Sequence, residues 1–187
     1  NSNEFKNLNL EIKNTGQNTT IANRIYKIKK LIRSENFLLL NGDAIIASDF
    51  KNLFQKHKKN KTGISFICSE AEANFGTVET IKGKIISFSR GVKFTSIKKD
   101  NENLTGFVYS GLVFMNKKIL NNKFKNKKNF EKEFYPKIIK KYKSRYFKLK
   151  GFWYAMDDIK QINYANKSRE NIVIFNKIKK IKKNYDK

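Results

Sequence analysis

Apolar and polar positions alternate in "LNLEIK" (8–13), which predicts a strand, and the polar loop "NTGQNTT" follows it. From Ile21 to Arg33 the period becomes helical: Ile25, Ile28, Leu31 and Ile32 mark one face, and Thr20 stands at the N-cap. "NFLLLNGD" is a continuous apolar run closed by turn residues, the pattern of a strand covered on both sides. Ser48 or Asp49 then caps a helix that puts Phe50, Leu53 and Phe54 on one face. "GISFICS" reads as a strand, "FGTVETIKGKIISFS" as a hairpin turning at Lys82-Gly83, and "GFVYSGLVFM" as a long strand.

Helical spacing returns in "NKKILNN" and through Phe130, Phe134, Ile138 and Ile139. Pro136 interrupts the second stretch and opens its later half at the first helical position. "RYFKL" is a late strand, "GFWYAMDD" a loop and "DIKQINYANKS" a closing helix. Strands that alternate with helices and then run together predict an α/β layered sheet of mixed direction. There are no internal repeats and no linker. One domain over residues 1–170 is expected, followed by a basic tail at 171–187, "NKIKKIKKNYDK" at its end.

Composition narrows this picture in two respects. A single cysteine, Cys68, excludes an internal disulfide and suits a reducing, cytoplasmic compartment. With one cysteine and one histidine no Cys/His zinc site can form, and no run is apolar and long enough to span a membrane. The formal charge of +25 would suit a nucleic-acid binder. However, the lysines are spread through every segment, with an excess of Asn and Ile, and are not gathered beside exposed aromatics. That distribution describes a solvated basic surface, one that still favours anionic substrates such as nucleotides.

Chemistry concentrates at three places. In an open α/β sheet ligands sit beyond the carboxyl ends of strands, where Asn41-Gly42-Asp43 falls. A carboxylate there can hold a hard divalent cation, and Gly42 lets a base or phosphate approach the backbone, although Asn-Gly and Gly-Asp are also ordinary turn dipeptides. Asp157 and Asp158 follow the aromatic segment "GFWYAM" and precede a helix, so one can cap it while the other points elsewhere. Two carboxylates from distant positions are what a Mg²⁺ site for phosphoryl or nucleotidyl transfer needs. Third, amides and hydroxyls of "TGQNTTIANR" can bind a phosphate or base edge, and Arg24 can reach an anion. His57, set in a Lys-rich helix without Ser/His/Asp companions, reads as structural or solvated.

The order of these pieces resembles the sugar-1-phosphate nucleotidyltransferases, and within them the glucose-1-phosphate cytidylyltransferase branch, from about Asn14 to Asn166. "NTGQNTTIANRI" is similar to the family's TG…TGGR loop and "FLLLNGD" to its F-x-x-x-(Y/N)-G-D. "LFQKHKKN", "NFGTV", "GKIISF" and "NFEKEFYPKI" match further segments. "GFWYAMDDIKQINY", similar to G-F-W-x-x-M-D-T-x-x-D-x-x-Y, is the most specific. "NGD" and "FEKEF" also resemble heptose-phosphate guanylyltransferases, which leaves the base open.

The resemblance implies a Rossmann-like, GT-A-like mixed sheet and a reaction between an NTP, CTP favoured, and a sugar 1-phosphate, for surface polysaccharide. It makes Asp43 and Asp157 the Mg²⁺ ligands and catalytic carboxylates, Thr19 and Arg24 nucleotide-contacting loop positions, and Gly42 a backbone contact. The apolar runs leave no membrane partner, the even spread of lysines weighs against nucleic acid, and a homo-oligomer stays open.

The chain departs from the family pattern in three places. Phe88-Ser89-Arg90-Gly91-Val92 stands where the family has E-K-P, leaving Arg90 or Lys93 to supply the missing charge. Val108-Tyr109-Ser110-Gly111 stands for I-N-G-G, and Ala22-Asn23 for the Gly-Gly before the loop arginine. The family's first strand and glycine-rich phosphate loop have no counterpart, so the chain is expected to be an N-terminally truncated, inactive fragment. A catalytically degenerate nucleotide- or sugar-binding relative and a basic nucleic-acid-binding domain are the rival readings.

Overall fold

The computed structural model describes residues 9–72, 77–81, 84–89, 93–94, 96–99, 102–105, 107–121, 129–167 and Asn176. The expected basic tail and the Lys82-Gly83 turn therefore lie outside the described residues, Asn176 apart, and so does Arg90. In chain order the elements are α1 (Ile21–Ile28), β1 (Asn36–Leu40), β2 (Ala44–Ser48), α2 (Phe50–Lys59), β3 (Ile64–Ser69) and β4 (Ala71–Glu72). Next come β5 (Thr77–Ile81), β6 (Lys84–Ser89), β7 (Lys93–Phe94), β8 (Ser96–Lys99), β9 (Glu102–Thr105) and β10 (Val108–Asn116). A π turn at Phe130–Phe134 leads into α3 (Tyr135–Lys141), then β11 (Ser144–Lys148), β12 (Gly151–Ala155) and α4 (Ile159–Asn166).

The central sheet has the order β1-β10-β3-β11. β10 runs antiparallel to both neighbours, and β11 runs parallel to β3, so the sheet is mixed. Alternation along β10 divides the core between the two faces. Val113 and Met115 join Ala22 and Ile25 of α1 and Phe130, Phe134 and Ile138 around α3. Leu112 and Phe114 join Phe50, Leu53 and Phe54 of α2 on the other side. Helices on both faces of a mixed sheet give the α/β layered architecture expected from the pattern, in the Rossmann-like form that the resemblance implies.

Local chemistry accounts for the helix starts. Thr20 caps α1 by accepting from the Asn23 amide at 3.4 Å. Asp49, rather than Ser48, caps α2 by accepting from Asn52 at 2.9 Å. Pro136 lies in the first turn of α3, where its missing N–H costs nothing.

Three expectations are corrected. Residues 9–14 form no strand: Leu10 and Ile12 are 80% and 84% exposed, and among the described residues no strand pairs with them, so their backbone is left to water. "NKKILNN" yields only a single 3-10 turn, Lys117–Ile119, within its described residues. "GFWYAMDD" is not a loop throughout, since its first five residues are β12, paired antiparallel with β2. That pairing also settles Asn41-Gly42: β1 and β2 lie in different sheets, so the dipeptide is not a hairpin turn between paired strands.

His57 is fully buried and structural. Its Nδ1 lies 2.8 Å from Ser65 Oγ and 3.0 Å from Thr62 Oγ1, and its Nε2 lies 3.2 Å from Asn36 Oδ1. A proton on Nε2 fits these partners, with the amide oxygen accepting and a hydroxyl donating to Nδ1. Burial pulls the imidazole down from 6.5 to about 4. The unfolded chain therefore takes up a proton below about 6.5, which the folded chain refuses until about 4. Stability from this group is complete above 6.5 and falls across that window, by up to roughly 3 kcal/mol. Denaturant titrations in steps from pH 7 to 4 should show this slope, and His57→Gln should flatten it.

Candidate active-site cleft

Two features place the cleft. β2 and β12 pair from Ala44↔Ala155 to Gly151↔Ser48, and the ribbon is prolonged by the Met156 amide donating to the Asp43 carbonyl at 2.8 Å. Asp43 at the start of β2 and Asp157 just past β12 are thereby brought into one cleft of about 150 Å³. Both carboxylates are exposed. The other acid, Asp158, is used up as a cap: its side chain accepts from Gln161 N at 2.8 Å, and Gln161 Oε1 accepts from the amides of Asp158 and Asp157 at 3.1 and 2.6 Å. This capping box fixes the turn that carries Asp157. The division of labour read from the sequence, one acid capping and the other directed elsewhere, is what the structure has.

The opposite wall is a β-bulge in β10. Register shifts between Tyr109 and Leu112, where Gly111 takes φ +82°, a left-handed conformation suited to glycine. A Cβ there would meet the Asn41 side chain at 3.2 Å, and the Gly111 carbonyl accepts from the Asn41 amide at 2.9 Å. The bulge thus docks directly on Asn41-Gly42-Asp43. Ser110 is buried, donating to the Ile67 carbonyl at 2.8 Å. Tyr109 is anchored by a 3.1 Å hydrogen bond to Tyr135, and burial raises its hydroxyl to about 12, so the wall is uncharged there. Trp153 also lines the cleft, and its buried indole N–H has no partner among the described residues.

The sequence marks Tyr109, Ser110 and Gly111 only as the departure from I-N-G-G, and Trp153 only as part of the aromatic segment before Asp157. A lone glycine inside an apolar strand was the available signal for the bulge.

Thr19 and Arg24 stand apart. Thr19 Oγ1 donates to the Thr15 carbonyl at 2.7 Å, while Arg24 donates from Nε to the Thr19 carbonyl at 2.8 Å and from Nη2 to Gln17 at 3.3 Å. These bonds close the 14–20 loop on itself, and neither residue lines the cleft that holds Asp43 and Asp157. Gly42 is adjacent to Asp43, with nothing within 4 Å of the position a Cβ would occupy. The backbone of Lys93 opens β7.

Could a cation be held here? Among the described residues no group of three or more His, Cys, Asp or Glu is arranged for a metal. The cleft offers two exposed carboxylates, a hard-oxygen set suited to Mg²⁺ completed by substrate phosphates and water, and unsuited to zinc.

The family profile described as nucleotidyl transferase matches residues 1–171. The chain belongs to the nucleotidyl transferase family. As a nucleotidyl transferase it is 25% identical, over 154 residues, to the probable glucose-1-phosphate cytidylyltransferase of Bacillus subtilis strain 168. That match covers 82% of the chain and 57% of the relative. Among solved structures it resembles a Bacillus anthracis protein assigned as a glucose-1-phosphate thymidylyltransferase, crystallised with sucrose. The TM-score is 0.54 and identity 15%, covering 83% of this chain and 61% of that one. HddC from Yersinia pseudotuberculosis, solved also as a complex with GMP-PN, aligns at 17–18% identity and a TM-score of 0.50, covering 77% of this chain and 60% of its own. The chain thus spans about three fifths of the length of these relatives. Among its described residues no helix is long and apolar enough to cross a membrane.

Proposed function

We propose that the protein transfers a nucleotidyl group from an NTP, with CTP favoured, to a sugar 1-phosphate, in the cytoplasm and for surface polysaccharide. The observation that carries this reading is the convergence of Asp43 and Asp157 on one cleft through the β2–β12 ribbon. In the reaction an oxygen of the sugar 1-phosphate attacks the α-phosphorus of the NTP. A new P–O bond forms, the bond to the bridging oxygen breaks, and pyrophosphate leaves with that electron pair. No covalent enzyme intermediate is required, so the chain contributes positioning and charge neutralisation.

Asp43 and Asp157 would hold Mg²⁺, which when bound supplies charge neutralisation at the phosphates. Gly42 leaves room for a phosphate or base beside the backbone. Thr19 and Arg24 shape the 14–20 loop, through which they would present amides to the nucleotide. CTP is favoured on the likeness to the Bacillus subtilis relative. In HddC the complexed nucleotide is GMP-PN, so the panel below spans all bases.

The test is pyrophosphate release by the full-length protein with Mg²⁺, across four NTPs and a set of hexose and heptose 1-phosphates. Turnover with one pair supports the reading. NTP binding without turnover for any pair would replace it with a degenerate binding protein. Gly42→Ala sharpens the assay. With open space around the Cβ, stability should change by less than about 0.5 kcal/mol. Turnover should fall about tenfold if phosphate or base packs there, and KM for the NTP should rise.

A further inference from the structure

A second hollow, of about 550 Å³, lies at the other end of the central sheet, where β1, β3 and β11 begin and β10 ends. The five residues of β1, about 17 Å of strand, separate it from Asp43. Its size falls within the roughly 300–1,000 Å³ of small-molecule sites. Four lysines line it, Lys58, Lys61, Lys118 and Lys143, against a single carboxylate, Glu35.

That carboxylate is already engaged, by Asn116 Nδ2 at 3.3 Å and Lys118 Nζ at 3.9 Å. Lys58 lies over the Phe54 ring at 5.0 Å. Lys61 and Lys143 have no carboxylate partner among the described residues. Lys61 moreover holds φ +48°, the one positive φ of a non-glycine residue among them. It follows the C-cap of α2, where glycine is the usual residue, so a lysine there carries a backbone cost of about 1 kcal/mol.

The floor adds a fixed neutral donor. Asn36 Oδ1 accepts from Asn116 Nδ2 at 3.2 Å and from buried His57 Nε2 at 3.2 Å. Both bonds land on the oxygen, so the amide orientation is set and its NH₂ group is left without a partner among the described residues. Tyr142 and Ile119 supply an apolar wall beside these donors. Clustered ammonium groups, a preset amide donor and a ring face together match a ligand with multiple negative charges and an organic moiety.

We propose that this hollow is a second binding site, for a small phosphorylated metabolite, with phosphate on Lys61, Lys143 and the Asn36 amide. It is separate from the Asp43–Asp157 cleft and does not depend on what that cleft does.

Inorganic pyrophosphate is the probe, titrated calorimetrically into the protein at about 0.15 M salt with a chelator present, so that no Mg²⁺ bridges it to the carboxylates. Saturable binding is expected, weakened at least tenfold by Lys61→Ser with Lys143→Ser and changed less than twofold by Asp43→Asn. Lys51→Ser with Lys160→Ser removes the same charge from exposed positions elsewhere and should also change it less than twofold. Lys61→Gly suits the left-handed backbone, so it guards against loss of fold and should still weaken binding. Absence of saturation, an unchanged affinity in the Lys61/Lys143 pair, or equal weakening in the Lys51/Lys160 pair would each overturn the site, the last assigning the binding to the general charge of the chain.

Discussion

Asp43→Asn is expected to lower turnover of the full-length protein about 10³-fold while leaving its melting temperature unchanged. The magnitude follows from the proposed role: the two carboxylates would hold the Mg²⁺ that neutralises the reacting phosphates, and Asn removes one of these anionic ligands. The unchanged stability follows from exposure: the Asp43 side chain lies open to the cleft, and its structural bond is made by its backbone carbonyl, which Asn keeps. Asp157→Asn should behave the same way, since its backbone amide, not its side chain, bonds Gln161. Asp158→Ala is the contrast. It removes a cap and costs about 1 kcal/mol of stability, with turnover reduced far less. Kinetics and thermal unfolding on the three variants would separate the roles. Retained activity in Asp43→Asn would sink the proposed site.

Much of this arrangement is legible in the sequence because its signals are local. Continuous apolar runs gave β1, β3 and β10, and the caps at Thr20, Asp49 and Asp158 follow from short-range hydrogen bonding. The pair Asp157-Asp158 before an apolar-periodic segment announces one capping acid and one free. β12 is different. "GFWYA" has neither alternation nor a turn behind it, and its partner β2 lies about a hundred residues earlier, a non-local pairing that no window of sequence contains. The bulge at Gly111 is likewise visible only as a glycine in a strand, whereas its contact with Asn41 depends on β1 lying beside β10. In the opposite sense, the alternation of residues 8–13 promises a strand that has no edge to join among the described residues. The basic charge is the least informative signal: it is spread too evenly to point anywhere, and only the fold gathers four lysines around one hollow.

Gly151→Ala is expected to cost about 2–3 kcal/mol and to lower turnover with it, because the β2–β12 ribbon cannot close over a methyl group at that position. A Cβ on Gly151 would lie 2.1 Å from the Ala47 carbonyl oxygen and 3.1 Å from its carbon, far inside contact distance. The obstructing atoms are backbone, so no rotamer change relieves them, and the strands must move apart where Gly151 faces Ser48. The same ladder carries Ala155 opposite Ala44 and the Met156–Asp43 bond, so separation propagates toward the two carboxylates. Two measurements distinguish a backbone clash from lost packing. Ala47→Gly should fail to rescue Gly151→Ala, since it removes a side chain and leaves the carbonyl in place. Mg²⁺ affinity should weaken in Gly151→Ala although neither carboxylate is altered. A variant with unchanged unfolding free energy and unchanged Mg²⁺ binding would show that the ribbon does not set the distance between Asp43 and Asp157.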